Sequence, residues 1–225
     1  FDTDDSARVM KDVLKEAGLD TQRYPHGRIL GRVSDAKNKM QRPHDLASSA
    51  SRPNDKLFAR LYKNYQERLT ASNALDFDDL LLEAVRLLEQ STPALEYWSE
   101  RFQHILIDEF QDVNAAQFRW VQLLSSKHQN ICVVGDDDQS IYAWRGANVQ
   151  IILDFERRYP GAQIIKLEQN YRSTQNILDA AHGVISRNLG RSPKRLWSEY
   201  SGGAQLILHG AVNAQDEAQW VVEKI

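Results

Sequence analysis

Two short apolar runs without alternation each drop into a cluster of acids. Ile105-Leu106-Ile107 leads into Asp108-Glu109-Phe110-Gln111-Asp112, and Ile131-Cys132-Val133-Val134 leads into Gly135-Asp136-Asp137-Asp138-Gln139. β-Branched-rich runs of this length fit strands buried on both faces, as in a parallel sheet. Cys132, the single cysteine, then reads as a small core residue, and no disulfide within one chain is possible. Acids at the carboxyl ends of such strands lie where open α/β sheets bind ligands.

Elsewhere the apolar positions recur with helical spacing. Val9, Met10, Val13 and Leu14 share one face of a helix capped by Thr3 or Asp4 and stopped at Gly18. A second helix is expected from Ile29 to Lys39, broken by Arg42-Pro43-His44, with Ser48 to Pro53 as a loop. A third, about Asp55 to Ala71, carries Leu57, Phe58, Leu61, Tyr65 and Leu69 on one side. Asp76 caps a helix reaching about Gln90, and Asp79 is placed to return the cap; Asn114 and Gln117 do the same for a helix ending near Leu124. A helix from Val149 to Arg158 and a strand from Ile164 to Leu167 follow. Ser173 caps a helix through Ser186, Leu206 to Leu208 is a short strand, and Asn213 with Asp216 opens the last helix. Strand and helix alternate after His104, which predicts an α/β fold with a parallel sheet.

Composition adds little until it is divided along the chain. Hydrophobic content of 42% and charged content of 26% are ordinary for a globular protein, and a net charge of −3 gives no global basic field. Residues 1–72 hold 14 basic and 10 acidic side chains, residues 73–167 hold 8 and 15, and residues 168–225 hold 6 of each. An acidic middle fits a metal–nucleotide site, and a mildly basic first segment can touch phosphates or simply be solvated. No apolar run approaches the roughly 20 residues of a membrane span and no signal peptide is seen, so no membrane partner is expected. The lone cysteine fits a reducing, cytoplasmic setting. The chain begins at Phe1 without a Met, which suggests a fragment.

Paired carboxylates after a strand suit phosphoryl transfer: an Asp holds Mg²⁺ and a neighbouring Glu orients or deprotonates the attacking water. A bare Asp-Glu can equally solvate a strand end. The wider pattern changes that weighting. Ile107-Asp108-Glu109-Phe110-Gln111-Asp112, the stretch from Val134 to Ala147 (VGDDDQSIYAWRGA), and Leu167-Glu168-Gln169-Asn170-Tyr171-Arg172-Ser173 resemble three successive motifs of the UvrD/PcrA/Rep-type superfamily 1 DNA helicases, in family order. The resemblance implies a partial RecA-like parallel sheet of a P-loop NTPase motor. Residues 1–72 would be a helical insertion, 73–167 the later half of the first RecA-like domain, and 168–225 the start of the second.

By that resemblance ATP and Mg²⁺ are the cofactors, and single-stranded DNA and duplex junctions are the partners. Asp108 would hold the metal and Glu109 the hydrolytic water. Gln139 would sense the γ-phosphate, Arg172 would act as an arginine finger, and Tyr171 would stack on the nucleotide base. Tyr142 and Trp144, two residues apart, face one side of an extended loop. They read as core aromatics or as a stacking surface for bases; the resemblance assigns both to single-strand contacts with Arg145 beside them. Arg172 can alternatively pair with Glu168, Asp112 can brace its loop or cap the helix, and Asp136 to Asp138 read as loop and cap groups. Arg23, Tyr24, Lys37, Lys39 and Arg42 are candidate strand contacts or ordinary surface.

The chain departs from the family pattern in two respects: no Gly-x-x-x-x-Gly-Lys-Ser/Thr occurs in it, and the family's further nucleotide and DNA motifs, a second arginine among them, are expected after the point where it stops. Two functions remain. One is part of an ATP-dependent 3′→5′ DNA helicase and translocase of repair or replication, whose isolated 225-residue piece would not turn over ATP. The other is a non-catalytic nucleic-acid-binding or interaction module derived from a helicase.

Overall fold

A computed structural model covers all 225 residues and divides into two compact units, Phe1–Pro160 and Gly161–Ile225. The first unit opens with four helices: α1 (Thr3–Glu16), α2 (His26–Asn38), α3 (Pro43–Ser49) and α4 (Pro53–Ala71). Asp2, not Thr3 or Asp4, caps α1: its Oδ1 accepts the N–H groups of Asp4 and Asp5, both at 2.9 Å. The two acids of the first turn then sit where the helix dipole favours them. The α3 helix was expected as a break and a loop. Pro43 instead begins it, because the first helical position needs no N–H, and Asp45 Oδ2 accepts the Arg42 N–H at 2.8 Å.

These helices enclose their own core. Met10, Val13 and Leu14 of α1 meet Ile29 and Val33 of α2 and Phe58, Leu61, Tyr62, Tyr65 and Leu69 of α4. Truncating one of the buried leucines to Ala would cost about 2–5 kcal/mol. Burial pushes the hydroxyl pKa of both Tyr62 and Tyr65 upward, since the phenolate loses its water.

Next come α5 (Phe77–Gln90) and α6 (Thr92–Arg101). The cap of α5 is reciprocal, as expected: Asp79 N–H donates to Asp76 Oδ1 at 2.9 Å and Asp76 N–H to Asp79 Oδ2 at 3.3 Å. Lys37 of α2 reaches both carboxylates, at 2.6 Å from Asp76 and 2.8 Å from Asp79, with its side chain fully buried. Tyr65 donates to the same Asp76 oxygen at 2.9 Å. Burial alone would raise Asp76, but the charge and hydrogen bond of Lys37, the Asp79 amide and the Tyr65 hydroxyl outweigh it and hold its pKa low. Burial raises neighbouring Asp78 instead; the Ser34 hydrogen bond and the Lys37 charge only moderate it. This buried cluster ties the four-helix segment to the start of α5.

The sheet has two parallel strands, β1 (Ile105–Ile107) and β2 (Ile131–Val133), in register Ile105↔Ile131, Leu106↔Cys132 and Ile107↔Val133. Between them runs α7 (Ala115–Leu124), with the expected cap: Gln117 N–H to Asn114 Oδ1 and Asn114 N–H to Gln117 Oε1, both 2.9 Å. The strands are not buried on both faces. Side chains alternate along a strand: Ile105 packs beside Val85, Leu88, Leu123 and Leu124, and Ile107 and Val133 beside Phe110, Phe118 and Ile151. The opposite face has no layer over it, so Leu106 is 77% exposed and Cys132 is exposed rather than a core residue.

The helix expected over 149–158 is two single turns, α8 (Gln150–Leu153) and α9 (Phe155–Arg158), separated at Asp154. The break sets Phe155 edge-on against Phe110, with ring centroids 5.6 Å apart.

In the second unit α10 (Gln175–Ile185) follows Thr174 rather than Ser173, and α11 (Ala214–Lys224) is capped as expected by Asn213, which accepts from Gln215 and Asp216. Neither Ile164–Leu167 nor Leu206–Leu208 is a strand. A strand needs a ladder, and this unit offers only one isolated bridge, Gln169 with Trp197. Leu167 is 79% exposed and Leu208 fully so.

Candidate nucleotide and nucleic-acid site

Because β1 and β2 are adjacent and parallel, the loops that leave them emerge at one edge. The ladder runs slightly beyond the strands: Val134 N–H donates to Ile107 O at 2.8 Å and Phe110 N–H to Val134 O at 2.9 Å. Glu109 sits between these bonds in the left-handed region, φ 49° and ψ 41°. A non-glycine residue is held there only when its surroundings enforce it, and such strain gathers at functional sites. Asp108 Oδ1 accepts the Glu109 N–H at 2.9 Å, and both carboxylates are exposed.

Gln111 connects the two loops. It is 1% exposed. Its Nε2 donates to Glu109 Oε2 at 2.8 Å, and its Oε1 accepts the Asp136 N–H at 3.0 Å. Asp136 Oδ2 in turn accepts from Gln139 Nε2 at 2.7 Å. Glu109, Gln111, Asp136 and Gln139 therefore form a hydrogen-bonded chain across both strand ends. Gly135 makes room for it: a Cβ there would lie 2.7 Å from Gln111 Oε1 and 2.9 Å from Ile152 Cδ1. Asp136 also caps the 3₁₀ turn Asp137–Gln139, accepting from Asp138 N–H at 3.0 Å, the loop-and-cap role expected of it. Asp112 does not cap α7, because Asn114 does. Its Oδ2 receives only a long Gln111 contact, 3.5 Å, and its buried Oδ1 has no hydrogen-bond partner.

The second loop ends in an aromatic turn. Tyr142 and Trp144 do not lie on an extended segment; Ala143–Arg145 is a 3₁₀ turn. The turn still brings the rings together, with centroids 6.3 Å apart and planes tilted by 48°. The Arg145 guanidinium lies 5.1 Å from the Trp144 ring centre and 5.7 Å from that of Tyr142, within cation–π range. Trp144 is 72% exposed, so this is no core cluster. Gly146 closes the turn at φ 87°, and a Cβ on it would stand 3.0 Å from Asn38 Cβ.

In the second unit Asn170 shapes the turn that carries Tyr171 and Arg172. Its Oδ1 accepts the N–H groups of Arg172 and Ser173, at 2.9 and 2.7 Å. Tyr171 donates to Gln169 Oε1 at 2.8 Å, and both Tyr171 and Arg172 are exposed. Glu168, the alternative partner for Arg172, accepts the Arg195 N–H at 3.1 Å.

Of the basic candidates in the first helices, Lys37 is excluded as a strand contact by its burial against Asp76 and Asp79. Arg23, Lys39 and Arg42 are exposed and Tyr24 is half-buried. The sequence reading missed Gln111, Gly135 and Asn38. Only Gly135, a glycine directly after a strand, carried a signal, that of close backbone approach. No helix is long and apolar enough to cross a membrane.

The strand-loop-helix edge thus carries an acidic pair, a second loop hydrogen-bonded to it and a solvent-facing aromatic turn. The family model of the UvrD/REP helicase N-terminal domain matches residues 1–160, and that of the UvrD-like helicase C-terminal domain matches residues 165–225. The chain belongs to the UvrD/REP DNA helicase family, and its parallel α/β unit is part of that family's RecA-like fold. Over all 225 residues it is 46% identical to the ATP-dependent DNA helicase PcrA of Staphylococcus epidermidis and 44% identical to that of Staphylococcus aureus. All of this chain is covered in each case, and it spans 31% of the length of these relatives.

Proposed function

We propose that this chain contributes to a motor that couples ATP hydrolysis to 3′→5′ movement on single-stranded DNA. Its setting would be the cytoplasm, its substrates single strands and duplex junctions, and its purpose repair or replication. The observation that carries this reading is the hydrogen-bonded chain Glu109–Gln111–Asp136–Gln139, because Gln139 begins the loop that ends at Trp144. One short segment would thus meet nucleotide at one end and DNA at the other.

In this reading Glu109 orients the attacking water and accepts its proton, with Gln111 fixing one carboxylate oxygen and leaving the other free. The exposed Asp108 carboxylate is a hard oxygen donor of the kind Mg²⁺ takes singly alongside water and phosphate, so it fits that ion and would hold it. Mg²⁺ there would neutralise charge on the phosphates. Gln139 would exchange its bond to Asp136 for the γ-phosphate, which gives the loop a reason to move. Arg172 would place a fixed charge on the transferring phosphoryl group and Tyr171 a face on the base. Tyr142 and Trp144 would stack unpaired bases, with Arg145 serving both rings and the strand phosphates.

The test is Glu109→Gln in the complete gene product, followed by fluorescent-nucleotide binding and phosphate release. The amide keeps shape but not basicity, so binding should persist while hydrolysis disappears. Hydrolysis that survives would make Glu109 a loop residue and favour the non-catalytic binding module.

A further inference from the structure

Asn38 occupies the last turn of α2, remote in sequence from both loops of the site, and touches the framework of each. Its Oδ1 accepts the Nδ2–H of Asn114 at 2.8 Å, and Asn114 caps α7 directly behind the acidic loop. Its Cβ lies 3.0 Å, and its Cγ 3.4 Å, from the point where a Cβ on Gly146 would stand. Gly146 is the exit of the aromatic turn, in the left-handed conformation that glycine adopts freely and can as freely leave. The helix end that bears Asn38 is itself immobilised, because the preceding residue, Lys37, is buried between two carboxylates of the α5 cap. A fixed helix end therefore lies against Gly146, the glycine that closes the turn carrying Trp144.

We propose that Asn38 is a positioning residue for single-strand binding. By holding Gly146 it sets the direction in which Tyr142 and Trp144 present their rings, and through Asn114 it ties that direction to the acidic loop. The proposal rests on the reading of the aromatic turn as a DNA surface. Its action is preorganisation: an unbraced turn must be ordered when DNA binds, and affinity falls by that cost. No phosphate contact is involved.

The test compares Asn38→Ala, Asn38→Asp and Trp144→Ala in the complete gene product, using fluorescence anisotropy of a labelled oligo(dT) at several salt concentrations. Asn38→Ala should weaken binding roughly three- to tenfold. Its dependence of log Kd on log salt should keep the parent's slope, because no counterion-releasing contact is lost. Asn38→Asp retains the Oδ1 acceptor and the bulk against Gly146, and should restore affinity. If Asn38→Ala binds like the parent while Trp144→Ala does not, the proposal is wrong; it is equally wrong if Asp fails to rescue. If Trp144→Ala binds normally, the DNA reading of the turn is at fault and the proposal falls with it, a result distinct from silence at Asn38 alone.

Discussion

The buried side-chain amide of Gln111 donates to Glu109 Oε2 at 2.8 Å, from a backbone position that leaves Glu109 in the left-handed region. The strained acid is thus held from below by a residue whose other end accepts the Asp136 N–H. Two loops from different strands share one brace.

Gln111→Leu removes both ends of that brace at nearly constant volume. It removes the Gln111 hydrogen bonds to Glu109 and from the Asp136 N–H, each worth about 0.5–1.5 kcal/mol of stability. Urea denaturation of the chain checks this. In the complete gene product ATP turnover should fall as well, since Glu109 is no longer oriented. A variant as stable and as active as the parent would show that the brace is incidental.

Trp144→Ala and Arg172→Ala should separate two functions in the complete gene product. Loss of the indole removes a stacking surface worth ~1–3 kcal/mol, a loss of about tenfold to hundredfold in single-strand affinity. Loss of the guanidinium should instead lower kcat, by roughly 10³-fold or more for a true arginine finger, with oligonucleotide affinity nearly intact. Kd and kcat measured at one salt concentration decide between them. Parallel losses that track the melting temperature in both variants would mean scaffold residues.

Lys37→Met leaves the Asp76 and Asp79 carboxylates buried without their cation. Breaking a buried pair this way costs about 3–5 kcal/mol. The pH dependence has a definite sign. In the parent the Asp76 pKa is held low, so its contribution to stability is present above the ordinary value of 3.8 and is lost as pH falls through the lowered value. In the variant the charge and hydrogen bond of Lys37 are gone, and the Asp79 amide and Tyr65 hydroxyl alone oppose burial, so Asp76 should titrate higher than in the parent. Acidification through the carboxylate range should therefore cost the variant less stability than it costs the parent. Thermal melts across that range test this, and identical pH profiles would count against a buried charge cluster.

The 225-residue chain by itself should show no ATPase above background, with or without oligonucleotide, because it contains no Gly-x-x-x-x-Gly-Lys-Ser/Thr segment to cradle the phosphates. Mg²⁺-dependent turnover by the purified chain would overturn this expectation and with it the assignment of these residues to an incomplete nucleotide site.

What the sequence determined by itself was local. The reciprocal caps Asp76–Asp79 and Asn114–Gln117 span a single helical turn, so residue identity and spacing suffice to define them. The two apolar runs were legible as parallel strands for the same reason, and the long motif from Val134 to Ala147 marked the family. Local patterns also misled where the outcome depended on neighbours. Leu106 and Cys132 were expected in a core, but burial requires a second layer and none covers that face. Ile164–Leu167 has strand composition and no partner strand, and the helix over 149–158 yields at Asp154, where Phe155 packs against Phe110. Pairings between distant residues were decided only by the tertiary structure: Gln111 with Asp136 across 25 positions, Lys37 with Asp76 across 39, and Asn38 with Asn114 across 76. No periodicity encodes such contacts, because each arises where separately folded elements meet: the first joins the two loops, the second the helical segment to α5, and the third that segment to the cap of α7.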